Sequence, residues 1–139
     1  MKNFKKLNGT LISTVIAFTV VCGSQHASAG SYTSEVRLPA LHSKGYVYTA
    51  HVPAVGAPKQ GQVIKGVSWN WNVQGWPRDL RVRLCQTPSR CLDISRKRSG
   101  SSDQFNRFLA SQPFYYELKL SPLGPSPVAG QTGRVTVTW

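Results

Sequence analysis

Two cysteines in the middle of the chain carry the clearest chemistry in the sequence. Cys85 and Cys91 close the segment CQTPSRC, and pairing them in an antiparallel hairpin brings residues of matching character opposite each other. The other pairs in that register are Leu84 with Leu92, Val82 with Ile94 and Arg83 with Asp93. Directly opposed residues lie close enough for a disulfide to close with little strain. The sequence therefore predicts a disulfide-bridged β-hairpin over residues 80–94, with apolar pairs on one face and charges and sulfurs on the other.

The remaining reactive residue types form no pattern typical of an enzyme or a metal site. His42 and His51 lie without Cys, Asp or Glu at metal-ligand spacing, so we interpret both as surface or edge residues. The sequence has no nucleophile elbow, zinc-protease motif or glycine-rich phosphate loop. Asp93 can pair with Arg83, and Glu117 with a neighbouring strand or with solvent. We expect neither catalysis nor a cofactor, and a glycosidase built from two scattered carboxylates is the alternative.

The N-terminus has the three parts of a secretory signal peptide, which are lysines at the start, an apolar core at 11–22 and small residues at 27–29. The apolar core is too short to span a bilayer comfortably. We expect cleavage after Ala29 and export to an oxidising compartment, where a disulfide can form. A lipoprotein cleavage site at Cys22 is the alternative, although the bulky Val21 before it fits such a site poorly. Residues 1–29 are therefore assigned to the signal and residues 30–139 to a single domain.

Charge is the second strong signal in the composition. The chain has 17 Lys and Arg against 5 Asp and Glu, and without the three signal lysines the count is 14 against 5, a net charge of +9. A positive field favours anionic partners such as lipid head groups, envelope polymers or acidic proteins. Nucleic acid is not expected as a partner of an exported protein. The alternative is a solvated surface that keeps the protein soluble.

The basic residues concentrate on and beside the predicted hairpin, near two aromatic residues that we expect to be exposed. Trp76 lies in a Gly-Trp-Pro loop, and Tyr115 lies on the polar face of its strand. The other tryptophans of the chain fall on apolar strand faces and are assigned to the core, namely Trp69, Trp71 and Trp139. The candidate partner-binding residues are Trp76, Arg78, Arg81, Arg83, Arg90, Arg96, Lys97, Arg98 and Tyr115.

Alternation of apolar and polar residues with period two recurs along the chain and predicts β-strands. Besides the hairpin, strands are predicted at 31–38, 45–52, 67–73, 114–120 and 134–139. Segments rich in Gly, Pro or Ser predict loops at 53–61, 75–77, 96–103 and 121–133, the last of them a long crossover between sheets. Residues 104–110 fit either a short strand or one helical turn. The fold class is thus all-β, a small antiparallel β-sandwich or barrel.

The second half of the chain contains a specific motif, the sequence LRVRLC at 80–85 followed by Arg90 and Cys91. An aromatic strand at 67–71, a Ser-Gly element at 99–100, a proline-aromatic strand at 112–117 and a terminal strand at 134–137 accompany it. In these features the chain resembles the flagellar protein FlhE family. The chain departs from the family pattern by one extra residue between the cysteines and by the basic run at 96–98.

The resemblance implies an all-β, non-enzymatic periplasmic protein of the flagellar system. The implied actions are control of proton or substrate passage through the type III export gate, or a chaperone-like action on flagellar components, with a role in swarming motility. The implied partners are export-gate, rod or hook proteins in the periplasm. The competing hypothesis follows from charge alone. It is an envelope-binding module that recognises an anionic glycan or lipid through a basic face.

Overall fold

The computed structural model describes residues 29–59 and 61–139, so the predicted signal peptide lies outside the described residues except for Ala29. The described part contains eight strands: β1 (Ser31–Arg37), β2 (Val47–Val52), β3 (Gly66–Val73), β4 (Leu80–Thr87), β5 (Arg90–Asp93), β6 (Ser99–Ser102), β7 (Phe114–Leu120) and β8 (Gly130–Thr138). It includes no helix that could span a membrane.

The strands form two antiparallel sheets of four, in the orders β1-β8-β3-β6 and β2-β7-β4-β5. We call them sheet 1 and sheet 2. One hydrophobic core fills the space between them, so the predicted all-β class is confirmed and its form is a sandwich. β7 and β8 lie in different sheets, which confirms the predicted crossover between them. β8 begins earlier than expected, however, because residues 130–133 pair with β1 and β3 instead of belonging to the loop.

Period-two patterning accounts for most of the core. On β3, Trp69 and Trp71 are buried while Asn70 between them is exposed, and Trp139 is buried at the end of the chain. On β7 the four alternate residues predicted to point inward are all fully buried, namely Phe114, Tyr116, Leu118 and Leu120. The core assignments of the tryptophans and of both strands are therefore confirmed.

Tyr116 joins the two sheets through the core. Its hydroxyl donates a hydrogen bond to the Arg134 carbonyl at 2.5 Å, with the Asn70 carbonyl at 3.3 Å, so a side chain of sheet 2 satisfies backbone groups of sheet 1. The ring lies against Gly133, where an added Cβ would stand only 2.6 Å from it. Desolvation raises the pKa of the Tyr116 phenol far above its ordinary value. A neutral, hydrogen-bonded tyrosine is thus built into the sandwich.

The hairpin has the predicted register. Cys85 lies opposite Cys91 with their Cα atoms 4.1 Å apart, the disulfide is formed, and Arg83 lies opposite Asp93. The prediction of an ion pair between Arg83 and Asp93 is wrong. Arg83 binds Glu117 instead, which lies in register with it on β7, the other neighbour of β4. Asp93 accepts hydrogen bonds from the hydroxyl and the backbone N–H of Ser95, and these lower the pKa of its carboxyl.

The predictions for two further segments, one a loop and one a short strand or helical turn, need correction. Residues 99–102, expected within a loop, form the edge strand β6 on β3. The strand has no apolar side chain of its own. Its place beside β3 requires a glycine at position 100, because an added Cβ there would stand 2.8 Å from the Trp69 ring. Residues 104–110 form neither a strand nor a helical turn but a series of turns with one isolated bridge, between Val63 and Leu109.

Candidate interaction surface

Four connections between the sheets meet at one end of the sandwich: residues 38–46, 74–79, 94–98 and 121–129. Backbone hydrogen bonds tie them to one another and to the strand ends, from Gln74 to Ala129 at 2.9 Å, from Gly45 to Leu120 at 2.8 Å and from Ser121 to Asp79 at 3.3 Å. We call these four connections, with Arg81 at the start of β4, the basic end. The opposite end carries residues 53–65, the β4–β5 turn and residues 103–113, and we call it the hairpin end.

Buried tryptophans hold the basic run in place. The indole N–H of Trp69 donates to the Lys97 carbonyl at 2.9 Å. The indole N–H of Trp71 lies 3.1 Å from the Ile94 carbonyl and 3.0 Å from the Lys97 carbonyl. Buried indoles need such partners, and here the partners are backbone carbonyls of residues 94–98. The core therefore fixes the backbone that displays Arg96, Lys97 and Arg98.

Arg98 connects the core to the exposed loop at 74–79. Its guanidinium carbon lies 5.1 Å from the ring centroid of Trp71 and 3.8 Å from that of Trp76. The same group donates hydrogen bonds to the Asn72 side chain at 2.8 Å, to the Val73 carbonyl at 3.3 Å and to the Gly75 carbonyl at 2.5 Å. Arg98 is consequently an anchor that holds Trp76 in position.

Trp76 is exposed, as predicted, and other exposed apolar side chains lie at the same end of the sandwich. Trp76 has 83% of its surface exposed and Leu123 has 88%, the largest fractions among the large hydrophobic residues of the described chain. Tyr46, at the same end, is 60% exposed. The strand predicted at 45–52 begins later than expected: β2 starts at Val47, and Tyr46 packs edge-on against Tyr48 with their ring centroids 4.8 Å apart. Beside Trp76 lies an open groove of about 300 Å³, lined partly by Pro77, Pro125 and Pro127.

Positive charge surrounds these apolar side chains. Arg78, Arg81 and Arg96 line one groove of about 520 Å³ together with Asp79. The four connections carry five cations, Lys44, Arg78, Arg96, Lys97 and Arg98, against the single acid Asp79. The two ion pairs found among the described residues lie elsewhere, joining Arg83 to Glu117 and Arg134 to Glu35. The charge of the basic end is therefore largely uncompensated.

The structure separates the remaining candidate residues from this surface. Arg83 is bound to Glu117 on the outer face of sheet 2. Tyr115 is half-buried on the same face, with its ring 5.5 Å from that of His51. Arg90 belongs to the hairpin end, where its guanidinium lies 3.9 Å from the ring centroid of Phe108. The candidates that come together are Trp76, Arg78, Arg81, Arg96, Lys97 and Arg98.

Sequence reasoning missed Leu123 and Tyr46. Leu123 is the largest apolar residue in a proline-rich loop, and that is the signal that could have singled it out. His42 and His51 are exposed, as predicted. In the described residues no group of three or more His, Cys, Asp or Glu side chains could hold a metal ion. The arrangement suits contact with a charged, partly apolar surface.

Comparison with known proteins gives one family and one fold. A family model described as "Flagellar protein FlhE" matches residues 39–139. A solved structure described as "Crystal Structure of FLHE" is similar with a TM-score of 0.67 and 22% sequence identity, over 81% of this chain and 98% of that one. At that identity the structural likeness shows the fold alone. No curated protein has a significantly similar sequence.

Proposed function

The chain belongs to the flagellar protein FlhE family, and from this premise we propose that it is a non-enzymatic periplasmic regulator of flagellar type III export. The observation that carries the proposal is the family match, which spans β2 to β8 and ends at the last residue. The action proposed is control of proton or substrate passage through the export gate, or a chaperone-like action on flagellar components, and swarming motility depends on it. Its partners are export-gate, rod or hook proteins in the periplasm.

The geometry supports an action by binding. The sandwich is stiffened by a disulfide and by the Tyr116 hydroxyl across the core, and its loops are tied together by backbone hydrogen bonds. Its grooves are open, and the side chains at the basic end are held in place by the core. A rigid surface with aromatic and arginine residues at fixed positions is typical of a binding protein, because little conformational freedom is lost on association.

Deletion of the gene tests the flagellar role. We expect a deletion strain to lose swarming and to show either an acidified cytoplasm or flagellar filaments in the periplasm. Acidification supports action at the gate, whereas periplasmic filaments support the chaperone-like action. Full-length protein should restore the wild-type behaviour, and the matched control, residues 30–139 without the N-terminal segment, should not. Unchanged motility, pH and filament location in the deletion strain would contradict the proposal.

A further inference from the structure

We propose that the basic end is a docking tip for the surface of an anionic phospholipid bilayer. In this arrangement Trp76 and Leu123 enter the interfacial layer, and the surrounding cations contact the lipid phosphates. The inference rests on the side chains of this chain and holds whether or not the protein acts on flagellar export. It replaces the broader hypothesis of an anionic envelope ligand with one surface and one partner.

The apolar part of the argument is the protrusion of two large side chains. Trp76 and Leu123 lie on neighbouring loops, 74–79 and 121–129, which are joined by the hydrogen bond from Gln74 to Ala129. Exposed large apolar residues that occur together mark interaction surfaces. Tryptophan prefers the membrane interface and leucine prefers the hydrocarbon just below it. A glycan offers Leu123 no comparable environment, which favours lipid over a soluble polyanion.

The loops that carry these side chains are held rigid. Arg98 stacks on the Trp76 ring and bonds to the Gly75 carbonyl, so the indole is fixed before any contact is made. Pro77, Pro125 and Pro127 line the adjacent groove and restrict the backbone on both loops. Insertion of a pre-ordered tip loses little conformational entropy, which favours binding.

The charged part of the argument is the set of cations around the tip. Arg78, Arg81 and Arg96 share one groove, and Lys44 and Lys97 are exposed in adjoining loops. A basic residue near an anionic membrane contributes roughly a fivefold gain in affinity, and the gain falls off within a Debye length. Apolar side chains inside a cationic rim match an anionic bilayer, whose head groups are negative and whose interior is apolar.

The outer face of sheet 1 offers no comparable site for a bilayer, and this affects how the protein is oriented on the membrane. Its central row consists of small hydroxyl side chains aligned across the four strands, namely Thr33, Thr136, Ser68 and Ser101. Contact with a bilayer would remove these hydroxyl groups from water without burying any apolar surface in return. The protein is accordingly expected to bind through its basic end, leaving the outer face of sheet 1 accessible from the aqueous side.

Binding to defined vesicles tests the proposal. The purified exported protein is mixed with vesicles of phosphatidylcholine alone or with a quarter phosphatidylglycerol, and binding is measured by sedimentation and by quenching of tryptophan fluorescence with brominated lipid. We expect binding and quenching only with the anionic vesicles, and weaker binding as salt rises. No binding to anionic vesicles at low salt would overturn the proposal, as would equal binding to both lipids.

Paired variants locate the contact. Leu123→Ser and Trp76→Ala should each weaken binding about tenfold, and the double variant Arg96→Ser/Lys97→Ser should weaken it by ten- to thirtyfold. The matched apolar control is Val55→Ser, because Val55 is 71% exposed at the hairpin end. The matched charge control is Lys59→Ser/Lys65→Ser at the same end. The proposal that the basic end contacts the bilayer would be refuted by any of three results. These are equal losses of binding in the controls, binding without quenching, and a protein partner at Trp76 in place of lipid.

Discussion

The basic end and the hairpin end are built between the same two sheets, yet they place their aromatic side chains in opposite environments. At the hairpin end Phe105 is buried edge-on against Phe114 with ring centroids 5.0 Å apart, and Arg90 covers the ring of Phe108. At the basic end Arg98 also stacks on an aromatic ring, but that ring, Trp76, faces solvent. The sandwich can bury aromatic residues in its loops. The exposure of Trp76 is therefore not a requirement of the fold, which agrees with the proposal that the basic end is used for interaction and the hairpin end for stability.

The largest expected effect tests the stabilising role of the hairpin end. Phe105→Ala should lower the free energy of unfolding by about 3–5 kcal/mol, because it removes a fully buried ring from the core. Urea denaturation measures the loss, and the half-exposed Leu109→Ala in the same loop is the control, with an expected loss below about 1 kcal/mol. The folded protein should bind vesicles as the wild type does. A loss of binding that exceeds the loss of folded protein would break the division between the ends.

Removal of the disulfide should have the next largest effect. The double variant Cys85→Ala/Cys91→Ala opens a seven-residue loop and should lower the free energy of unfolding by about 2 kcal/mol in the chain-entropy model. The thermal midpoint of the reduced wild-type protein should equal that of the double variant. This comparison checks that the alanines add no effect of their own. If flagellar function fell while the folded population stayed intact, the bridge would have a role beyond stability.

Arg98 lies at the basic end but is expected to contribute to stability as well as to binding. Arg98→Ala removes the hydrogen bonds to the Val73 and Gly75 carbonyls and should lower the free energy of unfolding by about 1 kcal/mol. Arg96→Ala, two residues earlier and exposed, should leave it within about 0.5 kcal/mol of the wild type. Both should weaken binding to anionic vesicles. Equal stability of the two variants would mean that Arg98 is not the anchor.

Tyrosine ionisation is expected to have the smallest effect on stability and to give the sharpest contrast between the two ends. Burial of Tyr32 beside Trp139 raises its pKa to about 12. At the basic end the Tyr48 hydroxyl accepts hydrogen bonds from the backbone N–H groups of Ser43 and His42, and these lower the pKa of Tyr48. Absorbance at alkaline pH should therefore show an early step that disappears in Tyr48→Phe. It should also show a late step near pH 12 that is lost in Tyr32→Phe, leaving only the still later ionisation of the buried Tyr116.

The two shifts have opposite signs for stability. The fold favours neutral Tyr32, so that contribution is complete below pH about 10 and is lost as the pH rises towards about 12. The fold favours ionised Tyr48, so its contribution appears as the pH rises through the phenol range. A single unresolved tyrosine transition near pH 10 would show that the two environments do not differ.

Local patterns in the sequence were sufficient to predict much of the fold. The register of the hairpin follows from the pairing of Cys85 with Cys91, and the inward faces of β3 and β7 follow from strict alternation. Both features depend on neighbours along the chain, so period-two reasoning predicts them. The exposure of Trp76 follows in the same way from its Gly-Trp-Pro context.

Features that depend on pairing between distant strands could not be predicted. Arg83 binds Glu117 because β4 lies beside β7, and no local pattern specifies that neighbour. The strand at 99–102 requires Gly100 to fit against Trp69, a contact across about 30 residues of chain. The basic end likewise arises only when four loops that are remote in sequence meet. Its anchor, Arg98, looks in the sequence like its exposed neighbours.

The order of strands within the sheets has a consequence for the speed of folding. Among the strand pairs of the two sheets, β4–β5 alone joins consecutive strands, and every other pair brings together segments separated by at least one further strand. Such a topology has a high contact order, because long loops must close before their contacts form, and all-β domains of this kind fold in milliseconds to seconds. The β4–β5 hairpin is the pairing available early. Its disulfide can close while the rest of the chain is still unpaired, giving the slower sheets a preformed edge on which to assemble.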